Sequence, residues 1–235
     1  MRDIQYRVEN KYLVSDTDLA LLRARLLPLM QLDSHQNGDN YEIRSVYFDN
    51  CRDLCLQQND AGVDDRQKYR VRTYGAENTP IHLEIKEKHS GYTRKMSCDL
   101  LREEFEKLLH RGRRLHFSDR KTLNQLLLRM RCSDMQPKVL IFYERTAFIY
   151  PSGHVRITFD RNIMASKNCE ALFDKKIPGL IPVLPVGMQV LEVKYDELLP
   201  DVIAQQLEIG RLRQTAFSKY YLGRLAVNGE FPVKG

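Results

Sequence analysis

Residues 66–74 read RQKYRVRTY and residues 82–88 read HLEIKEK. In a β-strand, side chains two apart share a face. The first segment therefore presents Lys68, Arg70 and Arg72 together, and the second presents Glu84, Lys86 and Lys88. Similar rows recur along the chain: Arg7, Glu9 and Lys11; Thr93, Lys95 and Ser97; Tyr143 and Arg145; Arg156, Thr158 and Asp160; Glu192, Lys194 and Asp196. The alternate faces are apolar, as in Ile81, Leu83 and Ile85, or Leu191, Val193 and Tyr195. Rows of Lys and Arg with a few carboxylates suit one kind of chemistry. The cations hold a chain of phosphates, and the acids hold Mg²⁺ or Mn²⁺ among phosphate oxygens. The plain alternative is the wet face of an antiparallel sheet. Seven rows of mainly basic residues, where an idle face would mix Thr, Ser and Gln, argue for a site.

The elements that carry these rows can be read from periodicity and turn chemistry. Strands are predicted at about 4–14, 41–49, 67–75, 80–89, 92–100, 138–150, 153–161 and 188–196. Helices are predicted at about 16–30 after Ser15 as cap, at 101–115, at 118–131 after Ser118 as cap, following Pro200, and at 211–226 after Gly210. Residues 50–65 read as irregular, and 166–187 as loop with one helical turn near 170–175. Short turns join most neighbouring strands, so the sheet is expected to be mainly antiparallel. One α+β domain spanning 1–235 is expected, with a frayed tail after Val227.

The chain has 235 residues, 43% of them hydrophobic and 29% charged, with a net charge of +6. Its pI of about 9.0 favours an anionic partner. No apolar run reaches the roughly 18 residues needed to span a bilayer, and the N-terminus lacks a signal-peptide core. The five cysteines are scattered, with no zinc spacing and no even count for a disulfide scaffold. A reducing, cytoplasmic setting is expected. The basic run HRGRRLH at 110–116 lacks interleaved aromatics and reads as solvated surface, so nucleic acid is not the expected partner.

The helices need an apolar surface to cover. If they cover the apolar face of the sheet, the charged face must meet solvent or close on itself. About eight strands can close into a barrel with room for one ligand. Its interior would hold Arg7, Lys11, Arg70, Arg72, Lys86, Lys95, Arg145, Arg156 and Lys194, with Glu9, Glu84, Asp160 and Glu192 among them. Like charges about 4 Å apart repel by roughly 4 kcal/mol at an effective dielectric near 20, so such a bore calls for a polyanion. Glu192 and Glu9, each two residues before a lysine, are the first candidates for the metal.

The motifs ENKY (9–12), SVYFD (45–49), KYRVR (68–72), LEIKEK (83–88), YER (143–145), VRITFD (155–160), LEVKY (191–195) and FSKY (217–220) occur in that order. Together the chain resembles the polyphosphate polymerase domain of the vacuolar transporter chaperone (VTC) complex, within the triphosphate tunnel metalloenzymes related to CYTH proteins. The resemblance implies an eight-stranded antiparallel β-barrel, the triphosphate tunnel, flanked by helices. It implies transfer of the ATP γ-phosphate onto polyphosphate with Mn²⁺ or Mg²⁺. Carried over by motif, Lys11, Arg70, Arg72, Lys86, Arg145, Arg156 and Lys219 line the phosphate path, Ser218 and Tyr143 bind substrate, and Glu192 is the metal ligand. Strand parity adds Lys95, preferred to Arg94, and Lys194. Ala216 stands where the family can have a lysine before FSK. Without regulatory and membrane segments, the chain is expected to be a stand-alone, bacterial-type version, with a membrane protein as a possible partner. A tripolyphosphatase or nucleoside triphosphatase of the same fold, and a non-catalytic polyphosphate-binding module, are the alternatives.

Overall fold

The computed structural model describes residues 8–34, 36, 38–76, 80–90, 92–112, 115–210 and 212–230. Arg7, Arg113, Arg114 and the tail beyond residue 230 lie outside the described residues. Among those described, ten strands form: β1 (Val8–Ser15), β2 (Gln31–Leu32), β3 (Tyr41–Asp49), β4 (Arg66–Thr73), β5 (Ile81–His89), β6 (Tyr92–Leu100), β7 (Gln136–Tyr150), β8 (Val155–Ser166), β9 (Ile181–Pro182) and β10 (Met188–Tyr195). Six α-helices accompany them: α1 (Asp16–Leu26), α2 (Leu54–Asp60), α3 (Arg102–Leu109), α4 (Lys121–Ser133), α5 (Asp201–Leu207) and α6 (Lys219–Asn228). The two short strands β2 and β9 are additional to the eight expected.

The chain divides into two compact units, one made of 1–42, 143–163 and 184–217, the other of 43–142, 164–183 and 218–235. In the first, strands pair in the order β1-β10-β8-β7, with β2 on β7. In the second the order is β7-β3-β4-β5-β6, with β9 on the end of β8. Strands β1 and β10, β10 and β8, β2 and β7, β3 and β4, β4 and β5, β5 and β6, and β8 and β9 pair antiparallel. Among the described residues the eight-strand path runs from β1 to β6 with no ladder between those two, so barrel is an approximate word for it.

The first unit buries the apolar faces of its strands under α1 and α5. Val155, Ile157, Phe159, Leu191 and Val193 pack with Leu19, Leu22, Leu26 and Ile203 in one cluster. Each such side chain contributes about 1.5–3 kcal/mol on burial. Helix α1 starts at a capping box: the Asp18 N–H donates to Ser15 Oγ at 3.1 Å, and the Ser15 N–H donates to Asp18 Oδ2 at 3.3 Å. In the second unit Leu123, Leu126, Leu127 and Met130 of α4 are buried, as are Leu83 and Ile85 of β5, which α4 contacts. In both units the apolar face is the covered one. That leaves the charged rows on the other face.

Three expectations need correction. Residues 50–65 are not irregular, because α2 forms there. The Asp49 carboxylate accepts the N–H groups of Asn50, Cys55 and Leu56 at 2.8–3.0 Å. Asn50 Oδ1 accepts those of Arg52 and Leu54. These bonds satisfy the first N–H groups in place of a cap at Asp53, which sits in the left-handed region at φ 54°. The final helix begins at Lys219, not near 211. The Thr215 N–H donates to the Lys11 carbonyl at 2.8 Å and Gln214 bridges Tyr12, which holds this stretch against β1. Ser118 is not the cap of α4. Arg120 is, and Ser118 Oγ only accepts the Arg120 N–H at 3.2 Å.

Candidate functional site

In the first unit the register sets Lys11 opposite Glu192 and Glu9 opposite Lys194. On the other side of β10, Glu192 faces Thr158 and Lys194 faces Arg156. Acids and lysines therefore alternate along β1 and β10 and across their ladder, but not onto β8. Lys11 Nζ lies 2.8 Å from Glu9 and 3.6 Å from Glu192, and Lys194 Nζ lies 3.2 Å from Glu192 and 3.6 Å from Glu9. Arg145 forks onto Asp160 at 2.6 and 2.7 Å and reaches Glu192 at 3.8 Å. Burial alone would lower the Lys11 ammonium, but Glu192 and Glu9 outweigh it and its pKa is raised. Arg145 is likewise raised against burial, mainly by Asp160.

Two other expected residues of this unit stand in different company. Arg156 pairs with the buried Asp33 at 2.7 Å and donates to Tyr41 Oη at 3.2 Å. Tyr143 is buried, with the Arg145 guanidinium 5.4 Å from its ring centroid.

The second unit repeats the motif with other residues. Arg70 faces Glu84, which faces Ser97 in turn. Arg70 Nε and Nη2 both lie 2.6 Å from Glu84 Oε2, Arg72 Nη1 lies 3.8 Å from it, and Lys95 pairs with Oε1. Burial would raise the Glu84 carboxyl; Arg70, Arg72 and Lys95 hold it well below the usual carboxylate range. Each unit thus contains one buried glutamate ringed by three cations: Glu192 with Lys11, Lys194 and Arg145, and Glu84 with Arg70, Arg72 and Lys95. Lys86 stands opposite Lys95 and is exposed. Arg94 is opposite Glu87, on the other side of β6 from Lys95.

Tyr47, in the SVYFD motif but assigned no role by the sequence, joins this group. Arg70 Nη1 donates to Tyr47 Oη at 3.0 Å. Burial would raise this phenol, but Arg70 and Arg72 outweigh it and its pKa is lowered. Its ring stacks on Tyr220 of α6, centroids 5.3 Å apart. Alternation along β3 places Ser45, Tyr47 and Asp49 together, but β3 is buried on both faces from Ile43 to Asp49, which hides that signal.

Ser218 is the N-cap of α6: its Oγ accepts the Tyr221 N–H at 3.3 Å and a bond from Lys68 Nζ at 2.9 Å. Among the described residues its own hydrogen is left as a donor. Lys219 follows in the first turn. Helix α2 braces α6 at both ends. Asp53 accepts two bonds from Arg224, at 3.0 and 2.9 Å, and pairs with Lys138 at 3.1 Å. At the far end Tyr221 donates to Asp60, and Lys68 donates to Asn59. Between them Tyr220 donates to the fully enclosed Asp49.

For a divalent metal, among the described residues no group of three or more His, Cys, Asp or Glu side chains is placed to hold one. The donor set that exists is smaller and hard: Glu9, Glu192 and Thr158. The Thr158 hydroxyl is buried, faces Glu192 across the ladder, and has no hydrogen-bond partner among the described residues. One or two carboxylates, a neutral oxygen and substrate phosphates are what Mg²⁺ accepts, so the residues fit.

The antiparallel α+β architecture is shared with solved structures. A Bacillus halodurans protein described as a candidate adenylate cyclase is 15% identical, with 91% of this chain and 94% of that chain covered and a TM-score of 0.55. A Hippeastrum candidate adenylyl cyclase, described as having a dominant triphosphatase activity, is 11% identical, with 97% and 98% covered and a TM-score of 0.55. No curated protein matches in sequence. The VTC domain model matches residues 6–228, and the chain belongs to the VTC domain family. No described helix is long and apolar enough to cross a membrane.

Proposed function

We propose that the chain is a metal-dependent polyphosphate polymerase that transfers the γ-phosphate of ATP to the end of a polyphosphate chain. The observation that carries this reading is the convergence of three cations on one enclosed carboxylate. Donors that already converge on one anionic oxygen pair can turn to a phosphate without being reorganised. Arg70, Arg72, Lys86, Lys95 and Lys219 bind phosphates, with the Ser218 hydroxyl as a neutral donor. Lys11, Lys194, Arg145 and Arg156 do the same in the first unit, and Tyr143 backs Arg145. Glu192 and Glu9, with Thr158, hold Mn²⁺ or Mg²⁺, which when bound polarises phosphoryl oxygens. No side-chain nucleophile is required. An oxygen of the acceptor phosphate attacks the γ-phosphorus, the bond to the β-phosphate oxygen breaks, and ADP leaves. The protein contributes position and positive charge.

Incubation with ATP, Mn²⁺ and a pyrophosphate primer is expected to yield ADP and lengthening polyphosphate. Arg70→Ala is expected to weaken phosphate binding, and Glu192→Gln to abolish metal-dependent turnover. Absence of polymer under varied metals would refute the polymerase reading. A second reading, hydrolysis of triphosphate with water as acceptor, draws support from the activity described for the Hippeastrum protein. Orthophosphate release from tripolyphosphate without chain growth would select it. Tight binding of polyphosphate with no turnover in the parent would select a binding module.

A further inference from the structure

The second unit holds a cleft that the phosphate chemistry does not use. It lies at the end of the β4–β5 ladder, where Arg66 faces Lys88 and Gln67 faces Glu87, and has a volume of about 400 Å³. Leu54 supplies exposed apolar surface over the nearly buried Tyr69 and Met135, and Arg66, Lys88 and Arg129 supply positive charge. A half-apolar cavity of this size with a few polar groups is what small-molecule sites look like.

Three cations line the cleft: Lys88 already pairs with Asp64 at 2.8 Å, whereas Arg66 and Arg129 have no carboxylate partner among the described residues. Among the described residues Arg66 donates only to the Val63 carbonyl, at 2.8 Å. Arg129 donates only to Tyr69 Oη and Gln67 Oε1, both at 3.3 Å. Every acceptor is neutral, and the two to Arg129 are long. The acids, in contrast, have partners. Asp49 takes three backbone N–H groups and the Tyr220 hydroxyl. Asp65 pairs with His89 at 2.5 Å. Glu87 Oε1 accepts both the Gln67 and Gln125 amides, at 2.7 and 3.0 Å. A guanidinium matches a planar oxyanion best, with two parallel bonds. The group missing from the cleft is therefore an oxyanion, and the surface beside it suits a flat apolar body.

We propose that this cleft is a second binding site, for a small organic anion that carries a carboxylate or phosphate on a flat apolar body. Arg66 and Arg129 bind the oxyanion, while Tyr69, Met135 and Leu54 bind the apolar part. The site does not depend on the reaction assigned above.

Dansylglycine, an aromatic carboxylate whose emission rises on leaving water, is a direct probe, with naphthyl phosphate as the phosphate-bearing competitor. Saturable binding of dansylglycine to the full chain is expected, and saturating tripolyphosphate should leave it unchanged. Arg66→Gln and Arg129→Gln should each weaken it about tenfold, the size of one charge-assisted hydrogen bond of about 1.5 kcal/mol. Displacement by naphthyl phosphate would show that the site takes phosphate as well; retention of dansylglycine would assign it to carboxylates. Arg66 is half-buried and Arg129 is exposed, so both variants should keep the parent circular dichroism. Equal titrations in the parent and both variants, or displacement by tripolyphosphate, would overturn the proposal.

Discussion

Glu84→Gln isolates the charge of one ringed glutamate. The substitution keeps the shape and removes the anion, leaving Arg70, Arg72 and Lys95 gathered around a neutral amide. Glu84 is only 3% exposed, and its nearest guanidinium nitrogens lie at 2.6 Å. Removing one partner of a buried ion pair costs about 3–5 kcal/mol. For a chain of this size each kcal/mol moves the melting temperature by about 2–4 °C, so a drop of roughly 6–20 °C is expected. The ligand response should move the opposite way. If Arg70, Arg72 and Lys95 bind phosphates as proposed, tripolyphosphate in the parent must take these cations from Glu84; in the variant it meets them without a competing carboxylate. If affinity rises tenfold, ligand-induced stabilisation grows by about 1.4 kcal/mol. Urea denaturation of both proteins, with and without tripolyphosphate, measures both effects. A variant within about 1 kcal/mol of the parent, or one stabilised less by tripolyphosphate than the parent is, refutes the reasoning.

The same residue fixes an acid limit. Its carboxyl is held below the ordinary 4.5, so its contribution to stability is complete above about pH 4.5 and fades as pH falls through the lowered folded-state value. The stability gap between parent and Glu84→Gln should hold from about pH 7 to 5 and narrow below about 4.5, read by urea denaturation across pH. Asp53→Ala leaves the enclosed Arg224 without its carboxylate and should cost about 1–3 kcal/mol, measured in the same way. Because it loosens α6, it should also weaken tripolyphosphate binding in calorimetry. Gly223→Ala would set a Cβ 2.2 Å from Ile141 Cδ1, inside packed core, so about 1–3 kcal/mol should be lost despite the better helix former. Ser15→Ala removes the α1 cap and should cost about 1 kcal/mol in the same assay.

Much of this architecture is legible in the sequence because alternation is a local property. β3 matches its predicted range, and β5, β6 and β10 fall within a residue or so of theirs, since each carries polar and apolar residues in strict turn or is bounded by turn residues. Parity alone puts Lys95, not Arg94, beside Glu84. What escapes the sequence depends on partners far along the chain. Nothing in residues 50–65 announces that Asp49 and Asn50 would satisfy a helix start, or that Arg224 would hold Asp53 from 171 positions away. The delayed start of α6 rests on a backbone bond to β1, and the Arg156–Asp33 pair on a loop whose composition carries no sign of a strand neighbour. Alternation shows Thr158 as a face-sharing residue, but that its hydroxyl has no hydrogen-bond partner among the described residues appears only in three dimensions.

The α2 segment also bears on how this chain tolerates change. By composition 50–65 looks like a place where a tag, an insertion or a protease nick would go unnoticed, as at most exposed loop tips. Yet Asp53 and Asp60 tie the two ends of the helix to α6, and Asn59 anchors the lysine that touches the α6 cap. An extra residue between positions 53 and 60 would rotate one set of ties by about 100° relative to the other, so both could not close at once. Homologues should vary in residue type here more readily than in length, and limited proteolysis should spare this stretch.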